Sequence, residues 1–202
     1  MRVLVFGAHP DDIEIGLGGT IAKHVDSGCD VQAVIVTIPY SVEERKNEAS
    51  KAAKILGCNL QFLDVKSSEM NFGRNLINLF DKIINDFKPD IVYTHWEEDS
   101  HQDHVAIAKA TLASTRKNNC SLFMYEQTIP GGLVGKGFKP QMVIDITKTI
   151  DRKLESTSMH KTPIKNMDEL LKGLKGRASY RGFQVGAEYA EAFEVVKLIN
   201  IY

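Results

Sequence analysis

The segment Val3–Thr20 reads VLVFGAHPDDIEIGLGGT and combines a buried strand with a set of polar side chains. Val3–Phe6 is a continuous apolar run, which is typical of a parallel strand that is covered on both faces. The strand leads into a turn that carries His9, Asp11 and Asp12, and a glycine-rich helix start follows. An imidazole and two carboxylates at the carboxyl end of a first strand are candidates for metal binding or acid–base chemistry.

Strand and helix patterns alternate after this segment. The further predicted strands are Val31–Thr37, Leu60–Leu63, Ile91–Thr94 and Leu122–Tyr125, and the helices between strands run about 16–27, 41–57, 75–87 and 105–116. This alternation predicts an α/β fold: a doubly wound, three-layer architecture with a mostly parallel sheet of strand order 3-2-1-4-5. Later segments predict a strand at Met142–Ile146 and helices at 147–158 and 167–180. Ala192–Ile199 fits a strand or a helix, and its β-forming residues favour the strand. Pro130–Gly137 predicts a loop that could flank the mouth of the site.

A second polar motif, Asp99-Ser100-His101-Gln102-Asp103-His104, follows the predicted fourth strand. In the order 3-2-1-4-5, strands 1 and 4 are neighbours at the switch point, where ligands of such sheets bind. The two motifs should therefore meet although some 90 residues separate them. Alone, each motif is equally well explained as a turn or a helix start. Together they favour a functional site.

The two motifs can supply the ligands of a catalytic zinc, which needs three protein donors and one open position. His9, Asp12 and His104 provide a His2Asp set. His101 lies one helical turn before His104 and remains free beside it, while Asp11 is left to act as a general base. Asp103 is placed to orient one of the imidazoles.

Composition excludes several classes of protein. The chain has 202 residues, enough for one domain over 1–202, and a net charge of -1, which offers no basic field for nucleic acid. No apolar run approaches the ~20 residues that span a membrane. No signal peptide is evident, and the scattered cysteines Cys29, Cys58 and Cys120 favour a cytoplasmic location.

The paired motifs resemble the zinc-dependent de-N-acetylase family called LmbE-like or PIG-L, most closely its bacterial, bacillithiol-type branch. Segments 44–49 and 186–193 are similar to further family stretches, so the resemblance covers nearly the whole chain. It implies a Rossmann-like fold, Zn²⁺ bound by His9, Asp12 and His104, Asp11 as base and His101 as electrostatic or acid partner. It also implies a small-molecule N-acetyl sugar conjugate as substrate, and a homo-oligomer is consistent with it.

The sequence departs from the family pattern at three places. Ile13 separates Asp12 from Glu14, Gln102 stands where proline is usual, and His160-Lys161-Thr162-Pro163 replaces His-x-Ser-Gln. The last change puts a substrate role for His160 in doubt.

Three other residues allow two interpretations each. Arg45 is either a substrate contact or an exposed partner of Glu48 on its helix. His95 either supports the second motif or replaces a ligand, and Trp96 either lines the pocket or belongs to the core.

The sequence therefore predicts a zinc-dependent hydrolase that removes acetyl from a GlcNAc-type conjugate. Asp11 would activate the attacking water, while zinc and a protonated His101 would stabilise the oxyanion. The alternatives are a zinc amidase acting on a non-sugar amide and a non-catalytic nucleotide-binding module. Gly16, Gly18 and Gly19 do not complete a dinucleotide fingerprint, so we expect them to serve close helix–strand packing.

Overall fold

The computed structural model describes residues 1–127 and 135–199. Within them, the strands are β1 Arg2–Gly7, β2 Asp30–Ile35, β3 Asn59–Phe62, β4 Ile91–Thr94, β5 Ser121–Tyr125, β6 Met142–Asp145 and β7 Ala190–Lys197. The helices are α1 Asp12–Asp26, α2 Val42–Leu56, α3 Arg74–Phe87, α4 Gln102–Thr115, α5 Ile150–Thr157 and α6 Met167–Phe183. Residues 130–134 of the predicted loop at 130–137 lie outside the described residues. No described helix combines the length and apolar character that a membrane crossing requires.

The strands form one sheet in the order β3-β2-β1-β4-β5-β7-β6. β1 to β5 are parallel, and this confirms the predicted fold class and the order 3-2-1-4-5. The predicted last strand is also confirmed as β7, which inserts antiparallel between β5 and β6. The sheet is therefore mixed at this edge.

α1 begins at Asp12, four residues before the predicted start, and it is broken at Leu17, where φ is -146°. Two buried charged side chains satisfy the polar groups around this break. Lys153 Nζ donates to the carbonyls of Glu14 and Ile15, both at 2.8 Å. The Glu191 carboxylate accepts from the amides of residues 19 and 20 at 3.1 and 2.7 Å and from Lys153 Nζ at 2.6 Å. The pair fixes the helix that carries the first motif.

The glycines of α1 are explained by close packing, as expected. A Cβ on Gly16 would overlap the Tyr125 ring, and one on Gly19 would lie 2.7 Å from Ile146 Cδ1. α1 thus lies against the sheet and β6 more closely than larger residues would allow. Trp96 packs with Ala108, Met124 and Phe138, so it belongs to the core.

Candidate metal and catalytic site

The two polar motifs lie at one edge of the sheet because β1 and β4 are adjacent and parallel. Val3 is in register with Ile91 and Val5 with Tyr93, so both strands end at the same level. The chain after β1 carries His9 to Asp12, and the chain after β4 carries Asp99 to His104. The predicted meeting of the two motifs is therefore observed.

Three of the predicted ligands converge on one point. One donor atom from each of His9, Asp12 and His104 lies within 4.8 Å of the other two. His9 Nδ1 is 3.4 Å from Asp12 Oδ2, and His104 Nε2 is 3.3 Å from Asp12 Oδ1. Two imidazoles and a carboxylate in this arrangement fit the nitrogen and oxygen donors that zinc accepts.

In both His9 and His104, the ring nitrogen that points away from Asp12 lies close to another carboxylate. His9 Nε2 is 3.0 Å from Asp103 Oδ2, so Asp103 orients His9. His104 Nδ1 is 3.1 Å from Asp99 Oδ2. Such contacts fix ring orientation and tautomer in metal sites and leave the other nitrogen free for the ion. The contact of Asp99 with His104 was not predicted from the sequence.

The electrostatics of the site favour positive charge between the carboxylates. Burial lowers the pKa of His104, but Asp12 and Asp99 outweigh it and raise that pKa to about 10. Burial also raises the pKa of Asp12, and the nearby His104 and His95 reverse this effect and hold the pKa well below its usual range. A divalent cation at this place would meet the same attraction.

Asp11 differs from its neighbour in conformation and environment. Its φ is 104°, a region that residues other than glycine rarely adopt, and strained backbone of this kind is concentrated at functional sites. Burial and then the Asp12 carboxylate raise the pKa of Asp11 to about 7, against the opposing effects of His160 and Arg45. A carboxylate with a pKa near neutrality suits a general base.

His101 lies beside the donor set, with its ring centroid 4.9 Å from that of His9 and 4.6 Å from that of His104. Burial, and then the charges of His104 and His9, lower the pKa of His101, which favours a neutral ring over the protonated one expected from the sequence. Its Nδ1 accepts from the Asp103 amide at 3.2 Å. The neutral ring therefore carries its proton on Nε2 and remains a hydrogen-bond donor.

His95 packs against the site and contacts both motifs. Its Nε2 accepts from the Ala8 amide at 2.9 Å, and its ring stacks on His104 with centroids 3.9 Å apart. Because this nitrogen is already engaged, the geometry favours support over direct ligation. Sequence reasoning missed Gln127, whose Nε2 donates to Asp12 Oδ1 at 2.8 Å. No local motif marks this residue, which reaches the site from the end of β5.

Arg45 and His160 are both buried. Arg45 is 3% exposed, so the interpretation as an exposed partner of Glu48 is wrong. It donates to the Pro10 carbonyl at 2.9 Å and lies 3.9 Å from Asp11 Oδ1. His160 Nε2 is 3.4 Å from Glu14 Oε2 in the same buried cluster. Both side chains thus act on Asp11 through their charge, and Arg45 also holds the turn that carries it.

A doubly wound sheet with a His–Asp–His donor set at its switch point defines an α/β protein with a candidate metal centre. Residues 4–115 match the GlcNAc-PI de-N-acetylase family, PIG-L. The chain belongs to this family.

Two curated relatives are named as deacetylases, and one solved structure shares the fold. Uncharacterized deacetylase YaiS of Escherichia coli K12 is 35% identical over 126 residues, covering 56% of this chain and 68% of its own. Diacetylchitobiose deacetylase of Thermococcus kodakarensis is 28% identical over 228 residues, covering 100% of this chain and 85% of its own. GalB, the 4-carboxy-2-hydroxymuconate hydratase of Pseudomonas putida KT2440, has a TM-score of 0.82 at 21% identity, covering 100% and 98% of the two chains. The last likeness concerns the fold alone, so function must be argued from the site.

Proposed function

We propose that the protein is a zinc-dependent hydrolase that removes the acetyl group from an N-acetylamino sugar conjugate. The observation that carries this proposal is the convergence of His9, Asp12 and His104 beside a strained Asp11. The name of the Thermococcus relative, a deacetylase of diacetylchitobiose, supports an N-acetylated sugar as the substrate class. The cytoplasmic location and the homo-oligomer stay predictions.

The donor set fits zinc, and we assign His9, Asp12 and His104 to hold it. Zinc, when bound, lowers the pKa of a water towards about 7 and polarises an acyl carbonyl. Asp103 and Asp99 hold the two imidazoles in the required orientation through the contacts at 3.0 and 3.1 Å.

The other polar groups act on the proton and the developing charge. Asp11 accepts a proton from the water that attacks the amide carbon, and its raised pKa prepares it for that transfer. His101 donates a hydrogen bond from Nε2 to the oxygen that gains negative charge. The proton on Asp11 then passes to the amine as the C–N bond breaks, giving acetate and a free amino sugar.

Arg45 is proposed to act near the substrate. Its side chain is buried and holds the Pro10 carbonyl, so its main effect is on the turn that carries Asp11. Direct contact with a hydroxyl or phosphate of the group attached to the sugar, as the sequence resemblance implies, would add to that effect.

The proposal is tested by measuring zinc content and acetate release from N-acetylglucosamine and diacetylchitobiose. Asp11→Asn should bind zinc like the wild type and release acetate roughly 10² to 10⁴ times more slowly, the range that general-base catalysis supplies. Asp86→Asn, on an exposed face of α3, is the matched control and should behave like the wild type. An unchanged rate in Asp11→Asn with normal zinc content would contradict the proposed base.

The same assays separate the alternatives. A zinc amidase for non-sugar amides would release acetate from acetylated peptides or amines and not from the sugars. A nucleotide-binding module would be stabilised against heat by nucleotides and not by zinc. The carboxylates of Asp11 and Asp12 stand at the place where a phosphate-binding loop would lie and would repel phosphate, which weighs against that module.

A further inference from the structure

A cavity of about 440 Å³ lies directly beside Asp11. This volume falls in the lower part of the range of roughly 300–1,000 Å³ that is usual for small-molecule sites. Its wall is formed by four apolar side chains, those of Ile15, Pro163, Ile164 and Leu170. Asp11, which is next in the chain to the predicted ligand Asp12, therefore also borders an apolar compartment.

The wall is built from fixed elements. Ile15 and Leu170 are 2% and 6% exposed and belong to one apolar cluster, against which Ile164 packs. Ile15 is held in place because its carbonyl accepts from Lys153 Nζ at 2.8 Å and from Arg177 at 2.7 Å. The compartment is thus preformed by α1, the start of α6 and the segment before α6.

Two of the polar residues at the rim, Asn166 and Glu169, are hydrogen-bonded to each other. Asn166 Oδ1 accepts from the Glu169 amide at 3.2 Å, and its Nδ2 donates to Glu169 Oε2 at 3.0 Å. Lys165 is exposed to solvent. A ligand that enters the compartment therefore meets aliphatic carbon on its wall, with the Asp11 carboxylate and the Lys165 ammonium group at its edges.

The orientation of the substrate follows from the role of Asp11 and so rests on the proposed function. The proton that Asp11 accepts must reach the leaving amine, so the amino sugar lies on the Asp11 side of the scissile amide. Whatever is attached to that sugar is then directed towards the compartment beside Asp11.

We propose that this compartment is an aglycone subsite that binds an aliphatic group attached to the amino sugar. A second sugar ring fits the apolar wall poorly, since the hydroxyls that face Ile15, Pro163, Ile164 and Leu170 would lose water without gaining hydrogen-bond partners there. None of the residues that line the compartment is aromatic, so it also offers no ring for a sugar to stack on. The substrate class is therefore an N-acetylamino sugar with an apolar aglycone.

The test is a series of N-acetylglucosaminides with methyl, butyl and hexyl aglycones. Burial of each methylene should raise kcat/KM about three- to fourfold until the compartment is full. The readout is the ratio of the hexyl to the methyl value, because a general loss of activity cancels from it. Ile164→Asn should reduce this ratio at least tenfold, and Leu198→Asn, an exposed residue beyond β7, should keep it.

Each other outcome decides against the subsite. Equal kcat/KM values along the series in an active enzyme would overturn the subsite and leave the proposed function standing. A higher kcat/KM for diacetylchitobiose than for the hexyl glycoside would do the same. Rates that rise with N-acyl length instead would place the acyl group in the compartment. If no glycoside releases acetate, the proposed function fails, but calorimetry still tests the cavity. The hexyl glycoside should bind the wild type and not Ile164→Asn. Equal binding to both proteins would overturn the subsite.

Discussion

Replacing Asp103 by Asn should weaken zinc binding without unfolding the protein. Asp103 Oδ2 lies 3.0 Å from His9 Nε2, and the Asp103 side chain is only 10% exposed. The asparagine has the same shape and keeps an oxygen, but it removes the negative charge that makes the imidazole a better donor. The change therefore isolates the contribution of that charge.

The magnitude follows from this contact and its burial. Loss of a carboxylate partner behind a metal-bound histidine typically reduces metal affinity roughly 10- to 100-fold. The shielding of Asp103 from solvent places it towards the upper part of that range, because water screens the contact little. Asp99→Asn should act similarly on His104, since its side chain is 13% exposed and the contact is 3.1 Å. The two changes act on ligands of the same ion, so their effects should couple rather than simply multiply.

The assay is competition for zinc with a chromophoric chelator at fixed pH, with folding checked by circular dichroism. Asp86→Asn, an exposed carboxylate on α3, controls for the loss of one negative charge. A folded Asp103→Asn protein whose zinc Kd stays within twofold of the wild type would refute the assignment of Asp103 to His9.

Three further predictions concern stability. Lys153→Met should lower the free energy of unfolding by about 3–5 kcal/mol, because it leaves the buried Glu191 carboxylate without its cation; denaturant titration measures this. On α6, Gly182→Ala should destabilise by about 1–3 kcal/mol, since its Cβ would lie 2.7 Å from backbone atoms, whereas Gly176→Ala, with open space around it, should stabilise by about 0.5–1 kcal/mol. Burial and nearby positive charge lower the pKa of His24 to about 4, so its neutral form stabilises the fold above the ordinary pKa of 6.5. Up to roughly 3 kcal/mol of the free energy of unfolding is lost as pH falls from 6.5 to 4. Denaturant unfolding of the wild type and of His24→Gln across this pH range measures the contribution of this imidazole.

Each of these expectations has a contrary result. Unchanged stability in Lys153→Met would mean that the pair does not hold the break in α1. Equal effects of the two glycine changes would contradict the close approach at residue 182. A His24→Gln protein with the same dependence on pH as the wild type would show that this imidazole does not resist protonation.

The parallel part of the fold was predictable because its signals are local. Buried strands such as Val3–Phe6 are continuous apolar runs, and the alternation with helices restricts their order. The insertion of β7 between β5 and β6 has no such signal, since antiparallel pairing of distant segments depends on the complete chain. The charged Glu191 within an apolar strand was a hint that a buried partner exists.

The candidate site was predictable at the level of its donor set and less so in its surroundings. The spacing of His9, Asp12 and His104 indicated the ligands, because the motifs follow adjacent strands. The positive φ of Asp11 and the contact of Asp99 with His104 depend on tertiary geometry that spacing does not encode. Gln127 was missed for the same reason, since it reaches the site from another strand.

Diffraction from zinc-soaked crystals at wavelengths on both sides of the zinc absorption edge tests the central claim most directly. One anomalous peak per chain is expected, about 2.0–2.2 Å from His9 Nδ1, an Asp12 carboxylate oxygen and His104 Nε2. A peak elsewhere, or none at these three side chains when zinc is in excess, would contradict it.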